Sequence, residues 1–237
     1  MTISKEIDEI SKAVFTWLLA FIGLFILFFS IGTSGKFFEI IQHDLLPKEM
    51  QLIVTNPLNA LLVQIEITVF LAFVVSLPLL LYKIISYLSP ALRKREKKII
   101  VNAILPSMAF FALGISFAYF LLIPSTFEIM NSYVFSVNAL PFFEINEFVS
   151  MVIALTLATG FLFLLPVFMK VLNALEIVDK PFWISNFKYA FIMFLIFSAI
   201  ITPDGTGMTM LLLSLPLTSL YFLGWVFSKN INTGKRK

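Results

Sequence analysis

Few residues in this sequence could do chemistry, and the acidic ones come first. Glu66 stands inside the apolar stretch from Leu61 to Tyr82, with Gln64 two positions before it. An ionisable group at membrane depth is costly unless it meets water, protein or a partner. Two roles therefore stay open for Glu66: a functional contact, or a structural hydrogen bond to a neighbouring helix or to the interface. With Gln64 it predicts a small wet notch near one end of that helix. The run Arg93-Lys94-Arg95-Glu96-Lys97-Lys98 follows Ser89-Pro90. Such a run either anchors the chain to anionic lipid headgroups or forms a docking surface for a protein or peptide. Glu96 is its odd member, able to pair with its neighbours or to receive a cationic group. Glu9, near the first apolar run, is the candidate second carboxylate of a pair with it.

Other chemistry is excluded by residue type. There is no cysteine, hence no disulfide, thiolate metal site or cysteine nucleophile, and His43 is the single histidine. No phosphate-cradling glycine loop, His-Glu-x-x-His, serine nucleophile elbow or intramembrane Asp/His set is present. Neither an enzyme nor a cofactor or metal site is expected, and His43 is expected to be an interfacial polar residue. The net charge of +3 is weak evidence for nucleic acid.

The elements that must position these residues follow from composition. Of 237 residues, 59% are apolar and 13% charged, against roughly 25% charged in soluble domains. The mean hydropathy is +0.98. At about 20 residues per crossing, the length allows about six membrane helices and little extramembrane mass. Apolar runs predict spans at residues 14–31, 61–82, 104–123, 148–169, 187–201 and 208–227 of one transmembrane domain covering 1–237. The fifth is short, and Thr202-Pro203-Asp204-Gly205-Thr206-Gly207 turns it into the sixth as a hairpin. Lys5 and Lys12 are mixed with Glu6, Asp8 and Glu9, and no small-residue cleavage site follows the first apolar run, so that run is expected to remain as a helix.

Lysine and arginine orient these spans. Two lie in residues 1–13, six in 83–98, three in 170–188 and four in 229–237, while Lys36 and Lys48 alone fall on the other side. The positive-inside rule puts both termini in the cytoplasm of a multi-pass cell-membrane protein. Residues 35–56 and 124–147 are expected to be outer segments. The first carries Phe37, Phe38, Ile40, Ile41, Leu45 and Leu46 at near-helical spacing, the mark of an amphipathic surface helix. Pro124 and Pro141 bracket the second. Pro78, Pro106, Pro166 and Pro216 should bend or interrupt helices. Gly114, Ala118, Ala158 and Gly160 permit close helix contacts. No internal repeat is evident.

The sequence resembles the TatC family, the polytopic subunit of the twin-arginine protein translocase, over nearly its whole length. Tyr87-Leu88-Ser89-Pro90-Ala91-Leu92 followed by Glu96-Lys97-Lys98 resembles that family's signature in the first cytoplasmic loop. Further matches are Asn56-Pro57, Pro78, Gly114 with Phe117, Tyr119, Phe120 and Pro124, Thr202-Pro203-Asp204, Leu215-Pro216 and Leu220-Tyr221. The resemblance implies an all-α integral membrane protein of six transmembrane helices, a concave glove-like bundle with both termini inside and two short C-terminal spans. It implies a receptor in which Glu9 and Glu96 bind twin-arginine signal peptides of folded cargo. It also implies single-span partners of the TatA/TatB type, transport driven by the proton-motive force and contact with membrane lipids; a homo-oligomer within the complex stays open. Pro57, Glu66, Pro78, Pro90, Tyr119, Pro166, Asp204, Pro216 and Tyr221 are the candidate structural or partner-contact residues.

The sequence departs from the family pattern at the N-terminus, where Glu6-Ile7-Asp8-Glu9-Ile10-Ser11 keeps the acid and loses the histidine and arginine. It departs again at Phe163-Leu164-Leu165-Pro166, where Leu164 stands in the usual acidic position, and at Asn59 and Glu66. A small-molecule secondary transporter and an assembly factor without peptide recognition are the alternatives from other classes.

Overall fold

In hydrocarbon, every backbone N–H and C=O has to be paired within the protein, and helices achieve this segment by segment. The computed structural model describes residues 2–32, 35–47, 49–88, 93–202 and 207–228, and these are nearly all helical. Pro90 and Asp204 lie outside the described residues. Two compact units are distinguished. The first comprises Met1–Asp44, Leu52–Ile104 and Phe142–Ile153, and the second Leu45–Gln51, Leu105–Pro141 and Ala154–Lys237.

In the first unit, α1 (Thr2–Gly32) packs along α3 (Pro57–Leu88), with the short α2 (Lys36–Leu45) between them in sequence. The Trp17 indole N–H donates to Ser76 Oγ at 3.2 Å, and Ser76 Oγ donates to the Phe73 carbonyl at 3.0 Å. This polar pin lies two residues before Pro78, which removes one backbone donor from α3. The start of α3 is fixed by its sequence: Asn56 Oδ1 accepts the Leu58 N–H at 3.0 Å, and Pro57 takes the first helical position, where its missing N–H costs nothing. Strands β1 (Gln51–Ile53) and β2 (Phe142–Glu144) form a two-stranded sheet.

α4 (Lys94–Phe117) runs without a break into one π-helical turn, Ala118–Leu122, and on into α5 (Ile123–Ser136). The expected boundary at Pro124 is therefore not where the helix stops. The Ile123 N–H reaches the Ala118 carbonyl five residues back, so the wider turn shifts the hydrogen-bond register just before the proline and the chain stays helical through it. Ile123, Thr126 and Phe127 of α5 are buried, which ties the continuation down by packing. α6 (Ile145–Leu162) is interrupted at Phe163 and Leu164 before α7 (Leu165–Ala174), whose first turn carries Pro166.

The second unit also contains α8 (Lys180–Ser185), α9 (Phe187–Ile201) and α10 (Met208–Phe227), with α10 packed on α7 and α9. Small residues allow the closest approaches. A Cβ on Gly114 would stand 2.8 Å from both the Gly160 Cα and the Thr159 carbonyl oxygen, and one on Gly224 would stand 2.6 Å from Met169 Sδ.

Five helical runs among the described residues are long and apolar enough to cross a membrane: Ser11–Gly32, Pro57–Lys83, Lys94–Ser136, Ile145–Ala174 and Met208–Phe227. The apolar α9 has 15 residues, or roughly 22 Å at 1.5 Å per residue, against a hydrocarbon core of about 30 Å. Of the two helices expected to be short, α9 is the short one; α10 has 20 residues.

The glycine contact gives a direct check. Gly114→Ala forces backbone against Cβ and is expected to destabilise the protein by about 1–3 kcal/mol, read as a lower thermal midpoint in detergent. Gly23→Ala, with nothing within 4 Å of the new methyl, should leave the midpoint unchanged or slightly higher.

Candidate functional site

The acidic residues separate into different environments. Glu96 is the third residue of α4, and its Oε2 accepts the Arg93 backbone N–H at 2.9 Å, one half of a helix-capping arrangement. Around it Arg93, Lys94, Arg95, Lys97 and Lys98 are all exposed, while Glu96 is half-buried. Cations at a helix N-terminus oppose the macrodipole, and Glu96 supplies the one favourable charge in that turn. Glu9 lies within α1, and its side chain is outside the described residues, so its distance from Glu96 stays with the sequence expectation.

Glu66 is held from α6: Ser150 Oγ donates to Glu66 Oε1 at 2.7 Å. Its other oxygen, Oε2, is buried without a hydrogen-bond partner. One hydroxyl is scant compensation for a carboxyl group in an apolar segment, so Glu66 is held inside the protein at a desolvation cost. The space beside Gln64 is not the wet notch expected around Glu66 and Gln64, since Glu66 does not line it and its wall is mostly apolar. A cavity of about 210 Å³ is lined by Phe37, Phe38, Val63 and Ile67 together with Gln64 and Thr68.

Glu144 is the acid whose role the sequence does not announce. Its Oε1 accepts from Thr55 Oγ1 at 2.5 Å and from Asn59 Nδ2 at 2.6 Å, tying β2 to the start of α3. The Asn-Pro pair at 56–57 and Asn59 carry the local signal for this knot, but its acid comes from 85 positions further along the chain.

Other candidate residues serve the scaffold. Tyr221 is buried and its hydroxyl donates to the Trp183 carbonyl at 2.5 Å, with Trp183, Phe187 and Phe194 rings 5.8–6.1 Å from its own. It locks α10 to α8 and α9. Tyr119 sits in the π turn, edge-on to Phe120 at 5.1 Å. Pro166 backs Gly224, whose added Cβ would meet the Pro166 Cα at 3.1 Å. Pro216 lies inside α10, where Thr218 and Ser219 hydroxyls donate to the Ser214 and Leu215 carbonyls at 2.8 and 3.1 Å. Among the described residues, no group of three or more acidic, histidine or cysteine side chains could hold a metal ion.

The family model for the Sec-independent protein translocase protein TatC matches residues 5–216. The chain belongs to the TatC family. It is 35% identical over 185 residues to the Sec-independent protein translocase protein TatC of Cenarchaeum symbiosum, covering 78% of this chain and 70% of that protein. The TatC of Aquifex aeolicus is 28% identical over 241 residues, covering 100% of this chain and 98% of its own. A crystal structure of the twin arginine translocase receptor TatC in DDM matches with a TM-score of 0.79 at 27% identity, over 94% of this chain and 99% of that one. Membership places the protein in Sec-independent protein translocation as a multi-pass membrane component, not an enzyme in the catalytic sense.

The Tyr221 lock is open to test. Tyr221→Phe keeps the ring and removes the hydroxyl, leaving the Trp183 carbonyl unpaired. The expected loss is about 1–3 kcal/mol, measured as a drop in the thermal midpoint with the solubilised protein still monodisperse.

Proposed function

We propose that this protein is the receptor and scaffold subunit of a twin-arginine translocase in the plasma membrane, organising partner subunits that export folded proteins. The observation that carries the proposal is the family match over residues 5–216, joined by a solved TatC described as the twin arginine translocase receptor. Six spans, with α9 as the short fifth, leave both termini in the cytoplasm, in keeping with the fifteen basic residues assigned to that side.

In this proposal the carboxylates of Glu9 and Glu96 receive the paired arginines of a signal peptide. A guanidinium binds a carboxylate through two parallel N–H donors, a geometry that an ammonium cannot copy. The exposed cations around Glu96 oppose approach at long range, so short-range bidentate geometry has to supply the selectivity. Single-span partners of the TatA/TatB type dock along the helices, with Glu66, an acid standing within an apolar run, as their polar contact in place of the span-four acid for which this chain has Leu164. Pro57, Pro78, Pro90, Tyr119, Pro166, Asp204, Pro216 and Tyr221 are the further structural or partner-contact residues of this proposal. Transport is driven by the proton-motive force.

Binding of a twin-arginine signal peptide to the purified protein, set against a twin-lysine control, tests the receptor role. The arginine peptide should bind at least tenfold tighter; equal weak binding would sink the role and favour an assembly factor without peptide recognition. Glu96→Gln preserves a side chain able to cap α4 while removing its charge. It should weaken arginine-peptide binding about 5- to 30-fold, the equivalent of 1–2 kcal/mol, with little change in stability. Glu66→Leu should reduce crosslinking to single-span partners and export together, and unchanged values for both would remove Glu66 from the docking surface.

A further inference from the structure

The second unit has a groove that the receptor role leaves unused. It is a cavity of about 220 Å³ lined by Pro106 and Phe110 of α4, Pro166, Val167 and Lys170 of α7, and Phe227 at the end of α10. Positions 106 and 110, like 166 and 170, stand one helical turn apart on one face, so the groove follows the helix axes. Five of the six wall residues are apolar, and the one charged residue is a cation. Glu176 and Asp179, the acids that follow α7, do not line it. Two proline rings and a valine are too short and stiff to fold across the space, so the indentation is a standing feature of the surface.

Depth and charge together identify the occupant. Leu105, Phe168 and Val226, each next in sequence to a wall residue, are 76%, 62% and 58% exposed, so the rim of the groove faces hydrocarbon. At the same end of α10, Lys180 Nζ lies 5.1 Å from the centre of the Trp225 ring. Tryptophan and lysine at the end of an apolar helix mark the level of the lipid headgroups. Phe227 lies two residues beyond Trp225, and Lys170 near the end of α7 is exposed, so its stem forms wall while its ammonium reaches toward that level. Among the described residues no carboxylate forms an ion pair with Lys170. An apolar slot with a lone cation at its headgroup end fits a molecule in which a hydrocarbon chain is joined to an anion. A soluble anion would leave the apolar wall bare, and a zwitterionic lipid would bring a second cation to the same place. The volume falls below the roughly 300–1,000 Å³ of pockets that enclose whole small molecules, so the occupant is held by part of its length. We propose that the groove between α4, α7 and the end of α10 holds one hydrocarbon chain of an anionic phospholipid, whose phosphate pairs with the Lys170 ammonium. The chain covers Phe110, Pro166 and Val167, and the headgroup supplies the counter-charge that the protein does not.

The test uses the full chain reconstituted into phosphatidylcholine vesicles that carry a trace of photoactivatable lipid, either phosphatidylglycerol or phosphatidylcholine with the same diazirine-bearing chain. Labelling of residues 106–110 and 166–170 is measured after photolysis and digestion, relative to the exposed Tyr189, Ile192 and Ile196 of α9. It should be about threefold to tenfold higher with phosphatidylglycerol than with phosphatidylcholine, the range that one interfacial lysine contributes. Lys170→Gln should bring the phosphatidylglycerol labelling down to the phosphatidylcholine level, and Lys170→Arg should retain it. Lys188→Gln removes a cation that stands over the Tyr189 ring and does not line the groove, and should leave the labelling unchanged. Wild-type thermal midpoints for the three variants show that the fold is retained. Equal labelling by the two lipids would overturn the proposal, as would an enrichment that survives Lys170→Gln. A groove labelled no more than α9 by either lipid would overturn it too, the result expected if a second copy of the chain filled the space.

Discussion

A polar group inside a bilayer has no water to fall back on, and the arrangement of this protein follows from how each one is provided for. Hydroxyls on the helices turn back onto their own backbone: Thr16 onto the Lys12 carbonyl, Thr126 onto Leu122, Thr202 onto Ser198 and Ser228 onto Gly224. Such side chains cost little in hydrocarbon because the partner is always within reach, four residues away. Groups that cannot reach their own helix are paired across elements. The Trp17 indole takes Ser76, and the Tyr221 hydroxyl takes the Trp183 carbonyl. The π turn at Ala118–Leu122 belongs to the same pattern, since it shifts the ladder before Pro124 in place of breaking it.

The same rule makes the incompletely satisfied groups informative. Glu144 is met by two neutral donors and acts as a knot, and Glu96 finishes the first turn of α4. Glu66 has one serine hydroxyl and one bare oxygen, and Gln64 has an amide with no acceptor. Membrane-embedded helices meet other molecules through their short ends and through surfaces that lie in the bilayer. The open atoms of Glu66 and Gln64 are themselves buried, so they mark where the fold bears a desolvation cost.

The helical, membrane-embedded character was legible from the apolar runs; the helix starts were not, because α3 begins at Pro57 and α4 at Lys94, ahead of the expected 61 and 104, where Asn56 and Glu96 cap turns that precede the apolar runs. The continuation of α4 through Pro124 was not, because no residue type demands a π turn; packing of Ile123 and Phe127 holds it. Glu66 stood out as an acid in an apolar run, but its partner did not, and Glu144 looked like one more charge at an outer edge. A serine 84 positions away carries no sequence mark that links it to a given carboxyl.

By itself, then, the sequence determined the class of protein, the character of its helices and the family it resembles, because hydropathy, periodicity and motif spacing are properties of contiguous residues. Tertiary structure alone decided which polar atoms are paired: Glu144 by Thr55 and Asn59, Glu66 by Ser150, Tyr221 by Trp183, and Gln64 Nε2 by nothing among the described residues. Hydrogen bonds act over about 3 Å, so whether a polar group is satisfied depends on which distant residues the fold brings to it.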